Sequence, residues 1–164
     1  MAQDRRQFLV NLWKLGGALL VGAAGYTAYE ALRPLATNAG GGKLHLGPAD
    51  GFESGTATYF PEGRLYLANA KGDLFALSQK CPHLGCQVPF CESSGRFECP
   101  CHGSVFDLGG EWITGPSPRG MDRYRTEVKG GVIVVDTNAL EAGPDHGAKH
   151  YFSPAKGPSC VEGT

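Results

Sequence analysis

The chain has 164 residues and a formal net charge of −1 at pH 7, with no run of Lys or Arg outside its N-terminus, which argues against a nucleic-acid partner. Its length suits one domain plus extras, and 25 glycines, about twice the usual ~7% share, argue for a turn-rich β protein rather than a helical one. Six cysteines exceed what an ordinary cytosolic domain of this size carries.

At the N-terminus, Asp4-Arg5-Arg6-Gln7-Phe8-Leu9 looks like a twin-arginine export signal, used for proteins that cross a membrane already folded. An apolar stretch runs from Phe8 to Ala28, interrupted only by Asn11 and Lys14. Its 21 residues would rise about 31 Å as a helix, close to the ~30 Å hydrocarbon core. Lys14 lies near one end and can snorkel to the interface. The charges of Arg5, Arg6 and Lys14 keep the leading end in the cytoplasm, so the chain beyond the span lies on the extracytoplasmic side. A cleaved signal and a retained anchor both fit such a segment. Tyr29-Glu30-Ala31-Leu32-Arg33 continues in helical style, and Thr37-Asn38-Ala39 is only a weak cleavage site, so residues 1–33 read as a retained single-pass anchor. Gly16-Gly17-Ala18, Gly22 and Gly25 either offer small faces to other membrane helices or reflect the frequency of glycine in such spans. Pro34 ends the helix, and residues 34–43, with Ala39-Gly40-Gly41-Gly42, read as a flexible linker.

From Lys43 onward the pattern is β. Thr56–Phe60 and Arg64–Asn69 read as short strands joined by a Pro61-Glu62-Gly63 turn, and Lys71-Gly72-Asp73 turns the chain into Leu74–Leu77. Residues 103–113 hold short segments broken at Gly109-Gly110. Tyr124–Lys129 and Gly131–Val135 form a closing hairpin, and the tail from Glu141 to Thr164, Gly- and Pro-rich with few large apolar residues, reads as irregular.

The chemistry sits in two short boxes. Cys81-Pro82-His83-Leu84-Gly85-Cys86 and Cys99-Pro100-Cys101-His102-Gly103-Ser104 together give Cys-x-His, fifteen residues, then Cys-x-x-His, with one further cysteine in each box. Two thiolates and two imidazoles at this spacing can hold a metal centre between neighbouring loops, and Cys86 and Cys101 sit where they could tie those loops together. Tetrahedral Zn²⁺ also accepts such a donor set, although common zinc modules use a Cys-x-x-Cys knuckle and leave no spare cysteine pair beside the ligands.

The two boxes resemble those of the Rieske iron–sulfur proteins, whose [2Fe–2S] cluster has two cysteines on one iron and two histidines on the other. The resemblance covers about residues 44–140 and implies a mainly β, antiparallel Rieske-type domain with a cluster-binding part at about 78–120, followed by a tail over 141–164. It implies that Cys81 and Cys99 ligate the inner iron and His83 and His102 the outer one, and that Cys86 and Cys101 form the family's loop-bridging disulfide. That disulfide needs an oxidising compartment. Ser104 matches a serine whose hydroxyl donates to a bridging sulfide, and Gly115-Pro116-Ser117-Pro118 matches the proline loop that covers the cluster. Residues 34–43 match the hinge on which the cluster domain swings. The piece from Gly85 to Phe90 looks more like the chloroplast and cyanobacterial branch than the mitochondrial one, and the bridging cysteines disfavour the dioxygenase ferredoxins.

For function, the resemblance implies an electron-transfer subunit of a membrane quinol:cytochrome c oxidoreductase, not catalytic alone. Its partners would be a cytochrome b-type subunit, a c-type cytochrome and quinol, with His102 meeting the quinol oxygen. Phe106 stands where high-potential relatives carry a tyrosine donating to a ligand sulfur, which implies a lower potential suited to menaquinol. The small Rieske subunit of an arsenite oxidase is the alternative, and a small electron-transfer or zinc-stabilised interaction module is a third. Cys91 and Cys160 either pair or remain two unrelated thiols. His45, His146 and His150 have no motif context and read as surface residues.

Overall fold

The computed structural model of the chain describes residues 4–32 and 41–161, which fall into two compact units, one up to residue 37 and one from 38 onward. Residues 34–40 of the expected linker, and the weak cleavage site over 37–39, lie outside the described residues.

The first unit is one helix, α1 (Arg5–Leu32), free of proline and rich in Leu, Ala and Gly. Asp4 caps it: its carboxylate accepts the Arg6 N–H at 3.4 Å and its carbonyl the Phe8 N–H at 3.1 Å. Phe8, Leu9, Trp13, Leu19, Leu20 and Val21 are all exposed, so the helix is apolar around its circumference rather than along one stripe. With a mean hydropathy of 1.4 over its most apolar window, it is long and apolar enough to cross a membrane.

In the second unit the strands are, in chain order, β1 (Lys43–Pro48), β2 (Ala57–Phe60), β3 (Leu65–Ala70), β4 (Asp73–Ser78), β5 (Phe90–Cys91), β6 (Arg96–Glu98), β7 (Val105–Phe106), β8 (Trp112–Thr114), β9 (Arg123–Lys129) and β10 (Val132–Glu141). They build a six-stranded antiparallel sheet in the order β1-β10-β9-β4-β3-β2 and a four-stranded one in the order β5-β6-β7-β8. The small sheet is inserted whole between β4 and β9, which are neighbours in the large one.

Strand β3 explains how the two sheets are joined. Successive side chains point to opposite faces. Leu65 and Leu67 pack with Ala76, Ile133 and Val135 on one side, while Tyr66, Ala68 and Ala70 pack with Phe97, Phe106, Cys81 and Cys99 on the other. One strand thus carries the base core on one face and the floor of the inserted sheet on the other. The closing hairpin turns at Gly130-Gly131, with Lys129 opposite Val132. Strand β10 runs further than the Gly131–Val135 segment expected from sequence. A bulge between Asp136 and Leu140 restores its register with Tyr124 and Arg123, and Thr137 inside that bulge bonds both the N–H and the carbonyl of Gly42.

Between β7 and β8 the chain turns through a buried acid pair. Asp107 accepts the Glu111 N–H at 2.9 Å, and Glu111 accepts the Tyr151 N–H at 3.0 Å and faces His150 Nδ1 at 3.0 Å. Arg123, stacked over Phe75 at 4.3 Å, donates to the Gly109 carbonyl at 2.7 Å. Burial, with the Glu111 carboxylate beside it, pushes Asp107 up from 3.8 to about 6, whereas hydrogen bonds from Tyr151 and His150 outweigh burial and hold Glu111 below its ordinary value. Between 3.8 and about 6 the folded chain binds the Asp107 proton more tightly than the unfolded chain does, so stability falls as pH rises through that window. Glu111 acts with the opposite sign and only below the ordinary carboxylate range. Asp107→Asn keeps the acceptor and removes the charge. Its thermal midpoint in detergent should match the wild type at about pH 4 and exceed it by several degrees at about pH 7; parallel curves would show that Asp107 ionises freely.

Candidate metal centre

The two boxes fold into equivalent loops. In the first, the Cys81 N–H donates to the Cys86 carbonyl at 2.7 Å and the Gly85 N–H to the Cys81 carbonyl at 2.8 Å; in the second, the Cys99 N–H donates to the Ser104 carbonyl at 2.8 Å and the Gly103 N–H to the Cys99 carbonyl at 3.1 Å. The fifth position is glycine in each, at φ +80° and +71°. Strand β4 delivers the first loop and β6 the second. A disulfide joins Cys86 to Cys101, with Cα atoms 6.6 Å apart, and the Cys99 sulfur lies within 4.8 Å of both bridged sulfurs.

The remaining donors separate by kind. Cys81 and Cys99 are free thiols, 3% and 2% exposed. His83 is half-buried and His102 exposed, their rings perpendicular with centroids 4.9 Å apart. Burial pushes the Cys81 thiol up and the adjacent Cys99 thiol adds to it, while the His83 N–H and the Ser104 hydroxyl, both pointed at the sulfur, act the other way. Two buried thiols side by side cannot both ionise without a cation to replace lost hydration. This arrangement, a thiol pair inside and an imidazole pair outside, fits a two-iron group with a like pair on each metal. The spare disulfide-bonded pair beside the donors is what common zinc modules lack.

A third segment closes the site. Ser117, 1% exposed, donates its N–H to the Ser104 hydroxyl oxygen at 3.1 Å. The Trp112 indole donates to the Gly115 carbonyl at 3.1 Å. A Cβ at Gly115 would run into the Ser104 backbone, so only glycine lets the loop lie this close.

The irregular tail is fastened here rather than loose. Cys91 and Cys160 form a second disulfide, Cα atoms 5.7 Å apart. Glu98, 3% exposed and adjacent to Cys99, accepts from the Ser94 hydroxyl at 2.6 Å, the Ser159 hydroxyl at 2.7 Å, the Cys160 N–H at 2.8 Å and the Val161 N–H at 3.2 Å. Burial alone would raise its pKa, yet these four bonds hold it below the usual value. His146 and His150 sit at the surface as expected, but each has a partner: His146 stacks on Trp112 and bonds the Ser117 carbonyl, and His150 pairs with Glu111. Glu98 and Glu111 carry no signal in the sequence, because their partners in the tail lie 39 to 63 residues away and belong to no local motif.

Comparison with known proteins bears on the same residues. The Rieske [2Fe-2S] domain family matches residues 46–125. The cytochrome b6-f complex iron-sulfur subunit of Chlorobaculum tepidum is 34% identical over 138 residues, covering 80% of this chain and 75% of that protein. The subunit of the same name from Prochlorococcus marinus is 32% identical over 152 residues, covering 82% and 85%. Among solved structures, a hyperthermophilic respiratory Complex III gives a TM-score of 0.48 at 25% identity, covering 76% of this chain and 97% of that one. The plasma membrane Rieske protein of Synechocystis PCC 6803 gives 0.44 at 31%, covering 57% and 98%. At that similarity over three quarters or more of the relatives' length, the chain belongs to the Rieske [2Fe–2S] family and carries that cluster.

Proposed function

We propose that the chain is the Rieske subunit of a membrane quinol:cytochrome c oxidoreductase, taking an electron from quinol at a cytochrome b site and passing it to a c-type cytochrome. The observation that carries this reading is the sorted donor set, with buried Cys81 and Cys99 inside and His83 and His102 turned outward. Support comes from relatives named as iron-sulfur subunits of cytochrome b6-f complexes. Cys81, Cys99, His83 and His102 would hold the cluster, the thiolates on one iron and the imidazoles on the other. Helix α1 anchors the chain with its N-terminus in the cytoplasm and the β domain outside, reached through twin-arginine export.

When bound, the group supplies a one-electron acceptor with no net charge in its oxidised form, hence a higher potential than an all-cysteine cluster. The protein supplies the rest. The exposed His102 ring presents its free nitrogen to the quinol hydroxyl and takes the proton there. The Ser104 hydroxyl and the His83 N–H stabilise negative charge on the Cys81 sulfur. The proline loop and the bridged box loops keep water from the thiol side.

Replacing Cys81, His83, Cys99 or His102 with Ala should abolish the Rieske EPR signal of detergent-solubilised membranes, while the wild type co-purifies with a cytochrome b. An intact signal in His83→Ala would remove the ligand assignment; a Mo-containing partner in place of the cytochrome would point to the arsenite oxidase alternative.

Cys86→Ser or Cys101→Ser leaves all four donors in place but frees one box loop from the other. A disulfide typically contributes about 2–4 kcal/mol, so the cluster should bleach faster on warming than in the wild type. Equal bleaching rates would show that the loops hold without the bridge.

Phe106 is fully buried and packs in the same core as Cys81 and Cys99. Phe106→Tyr should raise the midpoint potential, since a hydroxyl donating to a ligand sulfur favours the more negative reduced state; about 1.4 kcal/mol of differential stabilisation corresponds to about 59 mV for one electron. Protein-film voltammetry giving an unchanged or lowered potential in a folded variant would show that Phe106 only fills space, and the menaquinol reading would fall with it.

A further inference from the structure

We infer that His146, in the C-terminal tail, is a positioning residue for the cluster site, fixing the proline loop and through it the Ser104 hydroxyl. The inference rests on the reading of Cys81 as a ligand. The His146 and Trp112 rings stack with centroids 4.0 Å apart and planes within 20°. Each ring then grips the loop by one N–H, Trp112 at the Gly115 carbonyl and His146 Nε2 at the Ser117 carbonyl, 2.8 Å away. A carbonyl can only accept, so Nε2 carries the proton.

Held in this way, Ser117 points its own N–H at the Ser104 oxygen, 3.1 Å away. With its oxygen engaged as acceptor, the Ser104 hydroxyl has its proton free to donate into the sulfur side of the site. The tail cannot drift from this position. Just before His146, the Gly143 N–H bonds the Asp122 carboxylate at 3.0 Å, and the Gly120 N–H bonds the Pro144 carbonyl at 2.8 Å. A residue 44 positions beyond His102 in sequence therefore acts on the sulfur side of the site through two intervening hydrogen bonds.

The test uses the full-length protein in detergent and two variants that divide the two contacts. His146→Phe keeps an aromatic ring on Trp112 and removes the donor; His146→Gln loses the stack and keeps an N–H. His146→Phe should speed amide exchange at Ser117 and disfavour the reduced cluster by up to about tenfold, a fall of about 59 mV for one electron. His146→Gln should recover part of both. In a Ser104→Ala background, His146→Phe should leave the potential where Ser104→Ala alone puts it, because the two act in series. Wild-type exchange at Ser117 and an unchanged potential in His146→Phe would overturn the inference, and so would effects of Ser104→Ala and His146→Phe that simply add. Exchange at Ser117 reports the grip whether or not a cluster is loaded, so a chain lacking any Rieske signal would sink the proposed function and leave this contact measurable.

Discussion

Everything in the β domain answers to the burial of two thiols. Cys81 and Cys99 are almost wholly removed from water and lie against each other, a place where neutral thiols sit comfortably but where two thiolates are stable only around a bound cation. Three independent segments enclose the pair: two box loops with the same hydrogen-bond pattern and a proline loop resting on Ser104. None of the three is a regular element, and each is held by something regular behind it. Strands β4, β6 and β8 deliver them, and the doubly buried strand β3 sets the distance between the two sheets.

The polarity of the site follows from the same burial. Sulfur faces the core, where electron-rich atoms meet N–H and O–H donors, and nitrogen faces outward, where protons can be exchanged. A centre built this way keeps its two sulfurs among buried residues and leaves the His102 imidazole open to solvent. In the proposed role, the partner that brings the proton then meets imidazole and never sulfur.

Much of this architecture is legible in the amino-acid sequence. The boxes announce themselves by spacing, and the strands around Pro61-Glu62-Gly63, Lys71-Gly72 and Gly130-Gly131 are marked by residues that can turn. The membrane-compatible helix is legible from its length and apolarity alone. The tail is harder. Few large apolar residues make it read as irregular, and irregular it is, yet Cys160, His150 and His146 each make a contact across tens of residues. Such partners are chosen by the folded shape and leave no periodicity behind. The bulge in β10 is hidden for a related reason: a strand that resumes after a register shift looks, in sequence, like a strand that has ended.

The two disulfides have a joint consequence that neither has alone. One spans 86 to 101 and the other 91 to 160, so the second begins inside the first and ends far beyond it. Their spans overlap without a gap, and every peptide bond between Cys86 and Cys160 lies within at least one closed ring. A protease that nicked any exposed loop of this stretch would therefore liberate no fragment. The severed ends would stay tethered to the same scaffold, with the box loops, the proline loop and the tail still covalently one molecule.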